Sequence, residues 1–269
     1  MELQSQVDQL KARGLGLVAL TYDDPDILAT FAARRGITFP LLSDSGSAYI
    51  KRLALLNFTV PEGDRTYGIP FPGTFVLGPD GTIKARFFEA FYRERFTMSA
   101  IDIALGNISM GRGTRISGRH MEVIVGASDE IVAPGNRFAL TLEFHPGENI
   151  HVYAPGETKY RVLEVQIDDA DGLLRMHPVA YPEPEEYLFV PLDERVKVYQ
   201  QPFTVVQEVT LSGSDEAQKA LEGRESLTIE GTISYQACDD TICYNPTTIP
   251  VSWLMTLRSL DRVRARPPQ

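Results

Sequence analysis

Near residue 106 the hydrophobic pattern of this chain changes period, and that change divides the fold into two dissimilar parts. Before it, segments with apolar residues every three or four positions alternate with short apolar runs, as in an α/β layer. After it, period-two segments follow one another with a single helical interruption, as in a β-sandwich of immunoglobulin type. Domains are therefore expected at residues 1–106 and 116–260, joined by a Gly-rich linker over 107–115 and followed by a tail, 261–269.

In the first part, "LQSQVDQLKARG" places Leu3, Val7 and Leu10 on one helical face and stops at Gly14. "LGLVALTY" reads as a strand buried on both faces, and Asp24-Pro25 opens a helix that ends in Gly36. "FPLLSD", a helical "SGSAYIKRLAL", and the hairpin "GTFVLGPDGTIKARFF" with its "GPDG" turn come next. "RERFTMSAIDIAL" reads as a closing helix.

Seven segments of the second part alternate or are β-branched: "HMEVIVGAS", "RFALTLEFHP", "NIHVYAP", "RVLEVQID", "FTVVQEVTL", "SLTIEGTISYQA" and "TTIPVSWLMTL". "SDEAQKALEG" is the one helix expected among them, and Trp253 reads as a core residue of the last strand.

Composition narrows the function. A formal net charge of -10, with no basic cluster before "RVRARPP" at the C-terminal end, disfavours nucleic acid as a partner. No apolar run reaches the roughly 18 residues of a membrane span, and the first residues lack the pattern of a secretory signal. No cofactor motif stands out.

The chain holds two cysteines, Cys238 and Cys243 in "YQACDDTICYNP", with four residues between them. As a staple, so short a loop contributes about 2 kcal/mol, against about 4 to 5 for a loop near a hundred residues. As metal ligands they lack partners, because His120, His145, His151 and His177 are distant in sequence and without ligand spacing. As an exchange pair, their proximity is what the chemistry needs: one sulfur is attacked, and the second must reach it to release the mixed disulfide. Exchange is favoured. Asp239 and Asp240 are anionic neighbours and no Lys, Arg or His lies between residues 225 and 257, so local sequence activates neither thiol. That pattern fits a relay that is attacked by a partner's thiolate better than a self-sufficient oxidoreductase. A binding module with a structural disulfide is the alternative of a different class.

Two resemblances add to these readings. "YGIPFPGTFVLGPDG" resembles the thioredoxin fold of the AhpC/TSA and redoxin families, in which the proline matching Pro72 is cis. Physics alone leaves open a trans proline starting an edge strand. The family's cysteine motif and the strand before it have no counterpart here, and residues 1 to 237 contain no cysteine, so this part is catalytically empty as written. The expectation is a longer protein whose front carries that strand and motif, with a degenerate redoxin-like domain as the rival reading.

"HVYAPG", "YPEPEEYLFVPLDERVKVYQQPFTV", "YQACDDTICYNP" and "IPVSW" together resemble the immunoglobulin-like N-terminal domain of the DsbD thiol:disulfide interchange family, over roughly residues 116 to 258. The resemblance implies that Cys243 forms mixed disulfides and Cys238 resolves them. It aligns the family's cap over the disulfide with Glu185, Glu186 and Tyr187, and places Tyr153 near the pair. The acidic, Pro-rich flanks of "EEYLFVP" make a loop the expected setting for Tyr187 and Phe189, and acid/base chemistry by Glu185 and Glu186 is unsupported. The cysteine spacing is one residue shorter than in the best-known member. The implied partner is a thioredoxin-like or membrane redox protein, and the implied location is extracytoplasmic, where disulfides persist.

Overall fold

The computed structural model of the protein describes residues 2–64, 67–107, 113–189 and 193–259. Two compact units divide between Met98 and Ser99. The expected tail lies outside the described residues, as do 108–112 of the expected linker; strand structure begins at Thr114, inside that linker's expected range.

The first unit runs α1 (Glu2–Ala12), β1 (Ala19–Thr21), α2 (Pro25–Arg35), β2 (Leu41–Ser43), α3 (Ala48–Arg52), β3 (Gly73–Leu77), β4 (Ile83–Phe88) and β5 (Arg95–Phe96). Its punctuation follows the sequence. Gly14 at φ 75 closes α1, with its N–H donating to the Lys11 carbonyl; Asp24 and Pro25 start α2, and Gly36 in the left-handed region ends it. In the β3–β4 hairpin, Asp80 accepts hydrogen bonds from the Thr82 amide and hydroxyl, and Gly81 takes the positive φ.

Two expectations for this unit are corrected. The "LGLVALTY" segment is not buried on both faces: β1 spans only Ala19–Thr21, pairs in parallel with β2 alone among the described residues, and leaves Val18 54% and Leu20 40% exposed. The reason is topological: among the described residues β1–β2 and β3–β4 form two separate two-stranded sheets, so β1 does not sit inside a larger parallel sheet. The bond into Pro72 is trans, as is every peptide bond among the described residues. Trans is the intrinsically preferred isomer, and Pro72 immediately precedes β3, whose only ladder partner among the described residues is β4. A proline with no N–H to give is well accommodated at such a strand start.

The second unit contains α4 (Met98–Ala104), β6 (Thr114–Ser117), β7 (Met121–Ala127), β8 (Ile131–Val132), β9 (Asn136–Pro146), β10 (His151–Tyr153), β11 (Glu164–Ile167), β12 (Leu174–Ala180), β13 (Glu185–Phe189), β14 (Glu194–Tyr199), β15 (Phe203–Leu211), α5 (Asp215–Ala220), β16 (Ser226–Tyr235), β17 (Ala237–Cys238) and β18 (Thr247–Leu257). It is an immunoglobulin-like sandwich. Strands β12-β15-β9-β7-β6 form one sheet; β11-β16-β18-β8 and β13-β14-β10-β17 form two four-stranded sheets. The inward residues of β7, β9, β15, β16 and β18 build one core around Phe138, Phe144, Ile229, Ile233 and Trp253, which are all buried. Trp253 also donates its indole N–H to the Gly126 carbonyl at 2.7 Å. α5 is capped by Ser214, whose hydroxyl accepts from the Ala217 amide.

The sheet β13-β14-β10-β17 matters most for the site because both its faces are used. Val152, Tyr199 and Ala237 point into the sandwich core, whereas Tyr153, Val196, Val198 and Cys238 form a second, smaller apolar cluster. The period-two alternation of a strand produces this division without any change in composition.

Candidate functional site: the Cys238–Cys243 disulfide

The cysteine segment is a tight turn hung from an interior strand. β17 pairs antiparallel with β10, setting His151 opposite Cys238 and Val152 opposite Ala237. The chain then reverses: the Asp239 amide donates to the Ile242 carbonyl, and the Tyr244 amide donates to the Ala237 carbonyl. The Asp239 carboxylate organises the reversal by accepting from the amides of Thr241 and Ile242 and from the hydroxyls of Thr241 and Tyr244, all at 2.7 to 2.8 Å. Those hydrogen bonds, led by the Thr241 hydroxyl, hold its carboxyl far below the usual carboxylate range.

Across this turn Cys238 and Cys243 form a disulfide with an S–S distance of 2.09 Å. The two sulfurs differ in access. Cys238 is 1% exposed and belongs to the small apolar cluster, whereas Cys243 is exposed.

An aromatic wall stands beside the pair. Tyr153 is buried, stacks on Tyr160 with centroids 4.1 Å apart, and carries its hydroxyl to 3.7 Å from the Cys243 sulfur. Burial pushes the Tyr153 phenol well above its ordinary value, so it stays protonated and can donate to sulfur. Tyr160 is held by donating to Glu194, which also pairs with Lys159. Tyr187 packs on the cluster from β13 and donates to Asp240 Oδ1 at 2.6 Å; this bond, followed by burial, pushes its phenol up to about 12.

His151 completes the wall. It is 2% exposed, with its ring centroid 4.6 Å from that of Tyr187 and 5.6 Å from that of Tyr153. Burial lowers its pKa, opposed by the charges of Asp240 and Asp239.

The fold thus gathers Cys238, Cys243, Tyr153 and Tyr187 on one sheet face. Tyr187 and Phe189 lie on a strand, β13, rather than in the expected loop. The residues "EEYLF" pair in register with Glu194–Val198, and the ladder supplies the backbone partners that a loop would have left to water. Alternation then turns Glu186 away from Tyr187 to the exposed side, 3.7 Å from Arg195, while Glu185 accepts from the Gln200 amide and half-buried Phe189 sits opposite Glu194. Sequence distance concealed His151. The readable signal was its i, i+2 relation to Tyr153 in "HVY", which puts both rings on one face. Among the described residues no group of three or more His, Cys, Asp or Glu side chains is placed to hold a metal. Among them, too, no helix is long and apolar enough to cross a membrane.

Residues 121–252 match the family described as thiol:disulfide interchange protein DsbD, N-terminal. Residues 1–86 match the AhpC/TSA family. The chain joins an AhpC/TSA-like segment to a DsbD N-terminal-like domain. Among solved structures it is similar to the N-terminal periplasmic domain of ScsB from Proteus mirabilis, with 12% identity and a TM-score of 0.37, covering 55% of this chain and 52% of that one. The chain therefore spans about half the length of that structure. Among curated proteins none matches. The closed cysteine pair lies within the segment that matches the DsbD N-terminal family, and the segment that matches the AhpC/TSA family holds no cysteine.

Proposed function

We propose that the DsbD-like domain is a relay that passes reducing equivalents between protein partners through Cys238 and Cys243. The observation that carries this is the unequal burial of the two sulfurs, one exposed and one sealed in an apolar cluster. Exchange proceeds by attack of a thiolate along the S–S axis on one sulfur, while the other departs with the electron pair. Access selects Cys243 as the sulfur attacked and Cys238 as the leaving group. Cys238 is then retained beside the mixed disulfide, where it attacks Cys243 and frees the partner.

The low-pKa thiolate is the partner's contribution, because Asp239 and Asp240 beside the pair oppose a second negative charge. A thioredoxin-like protein, soluble or membrane-borne, is the partner class, and a periplasmic setting agrees with both the family match and the persistence of the bond. Tyr187, tied to Asp240, serves as the cap that a partner must displace. Glu185, Glu186 and Phe189 share its strand and form the docking rim. Pro72 belongs to the redoxin-like segment and has no part in the exchange.

Equilibration of the full chain with glutathione redox buffers tests the relay. A working pair titrates near the poise of an oxidising compartment, roughly -180 to -210 mV, whereas a structural disulfide resists reduction below about -300 mV and would leave only a binding module.

A further inference from the structure

Resting on the relay reading, one buried group remains unused. His151 lies inside the protein, directly across the ladder from Cys238, and its Nε2 has no hydrogen-bond partner among the described residues. Leaving a polar atom unpaired in the interior is costly, so such atoms are rare and call for a reason. The ladder supplies one. Directly opposed residues of an antiparallel pair have Cβ atoms about 4.5 to 5.5 Å apart on the same face, which sets the imidazole beside the Cys238 side chain. In the disulfide state neither sulfur carries a proton. Reduction puts one on Cys238, where only buried side chains can receive it, and Nε2 is an open acceptor.

We infer that His151 is the proton acceptor for Cys238, taking the thiol proton on Nε2 as Cys238 attacks the mixed disulfide at Cys243. In that step the Cys238 S–H bond breaks and its proton forms an imidazolium. The sulfur's electron pair makes the Cys238–Cys243 bond, and the bond between Cys243 and the partner breaks. The partner sulfur leaves with that electron pair as a thiolate and is protonated from water. Two electrons pass to the partner, and the domain returns to its disulfide. Run backwards, the imidazolium protonates Cys238 as it departs.

The groups facing the imidazole suit this cycle. Tyr153 from its own strand and Tyr187 from β13 are phenols held protonated; Asp239 and Asp240, in the turn after β17, stabilise a transient positive charge. Burial, the larger effect, keeps the resting ring neutral and ready to accept.

The test uses the full chain, reduced with a dithiol and mixed with a chromogenic aryl disulfide. The first aryl thiolate reports attack by Cys243, and the second reports resolution by Cys238. In the wild type, the second phase should stay level down through the ordinary imidazole value near 6.5, because burial lowers the His151 pKa, and slow only in more acid solution as His151 takes a proton beforehand. In His151→Gln the ratio of second-phase to first-phase rate should fall about 100-fold at neutral pH, and the level region of the second phase should be replaced by a rate that falls steadily with pH, as an unassisted thiol requires. An unchanged ratio and pH profile in His151→Gln overturns the assignment and leaves the relay standing. If the variant does not fold, a wild-type second phase that falls steadily with pH and shows no level region overturns it equally. A pair that no dithiol reduces in the folded chain gives no aryl thiolate in either phase, which removes the relay itself and His151's role with it.

Discussion

Tyr187 donates its hydroxyl proton to Asp240 Oδ1 at 2.6 Å, a bond across 53 residues of sequence that ties edge strand β13 to the cysteine turn. The same ring packs against the cluster containing Cys238. Displacing it therefore breaks one charge-assisted hydrogen bond and uncovers one sulfur, a small barrier that a docking partner can meet. In Tyr187→Phe the bond is lost and the ring remains. An exposed hydrogen bond of this kind is worth about 1 kcal/mol, so in a Cys243→Ser background alkylation of the covered Cys238 thiol should quicken by about 5-fold when Tyr187→Phe is added. Alkylation rates of the single and double variants check this; equal rates would mean that the tether does not gate access to Cys238.

The Asp239 carboxylate should keep the turn ordered in acid. Its folded pKa is depressed below the unfolded value near 3.9, so its contribution is fully present above that value and is lost only as pH falls through the lower folded value. Amide exchange at Thr241 and Ile242, whose N–H groups it accepts, should stay slow when the pH is taken below about 4. In Asp239→Ala both amides should exchange rapidly at neutral pH as well. Slow exchange in that variant would show that the disulfide alone shapes the turn.

Much of the fold was legible because its strongest elements are long and regular. The seven expected strands of the second unit correspond to β7, β9, β10, β11, β15, β16 and β18, where alternation repeats over several residues or matches a buried partner. Three of the six strands that escaped notice there have local reasons. β12 contains Pro178, which argues against a strand until the bulge between Met176 and Val179 and its position at the end of a sheet are known. β13 lies among prolines and acids, and β17 is two residues long. In the first unit, "LGLVALTY" has the composition of an interior strand, yet composition cannot reveal that among the described residues β1 has β2 as its only ladder partner. At the site, the two cysteines and Tyr153 were readable from spacing and resemblance. His151 was not, because its relation to Cys238 exists only through the pairing of β10 with β17.

Gly231 is a test of the sandwich independent of the redox chemistry. A Cβ there would lie 2.6 Å from the Gln166 carbonyl oxygen in β11, a backbone atom that cannot swing aside. Gly231→Ala should push β11 off β16 and cost about 1 to 3 kcal/mol. The midpoint of chemical denaturation measures it. A cost near zero would show that β11 can move without penalty.

The unequal access of the sulfurs predicts unequal traps. In Cys238→Ser the exposed Cys243 keeps its thiol and loses the group that resolves its adducts, so a mixed disulfide with a thioredoxin-like partner should accumulate and persist. In Cys243→Ser the remaining thiol is 1% exposed, beneath the Tyr187 ring and beside His151, where an incoming disulfide cannot align with it. Adducts should then form at least about ten times more slowly, since thiol–disulfide exchange requires the attacking thiolate to reach the disulfide in line. Adding Tyr187→Ala to Cys243→Ser should restore part of the rate by removing the cover. Non-reducing electrophoresis of the two single variants and the double variant, each incubated with a thioredoxin-like partner whose one cysteine is loaded as an aryl mixed disulfide, gives the comparison: the variant's thiolate bonds to the partner sulfur and the aryl thiolate leaves. Equal trapping by both single variants would mean that the cluster around Cys238 opens freely, and the division of labour between the sulfurs would be lost.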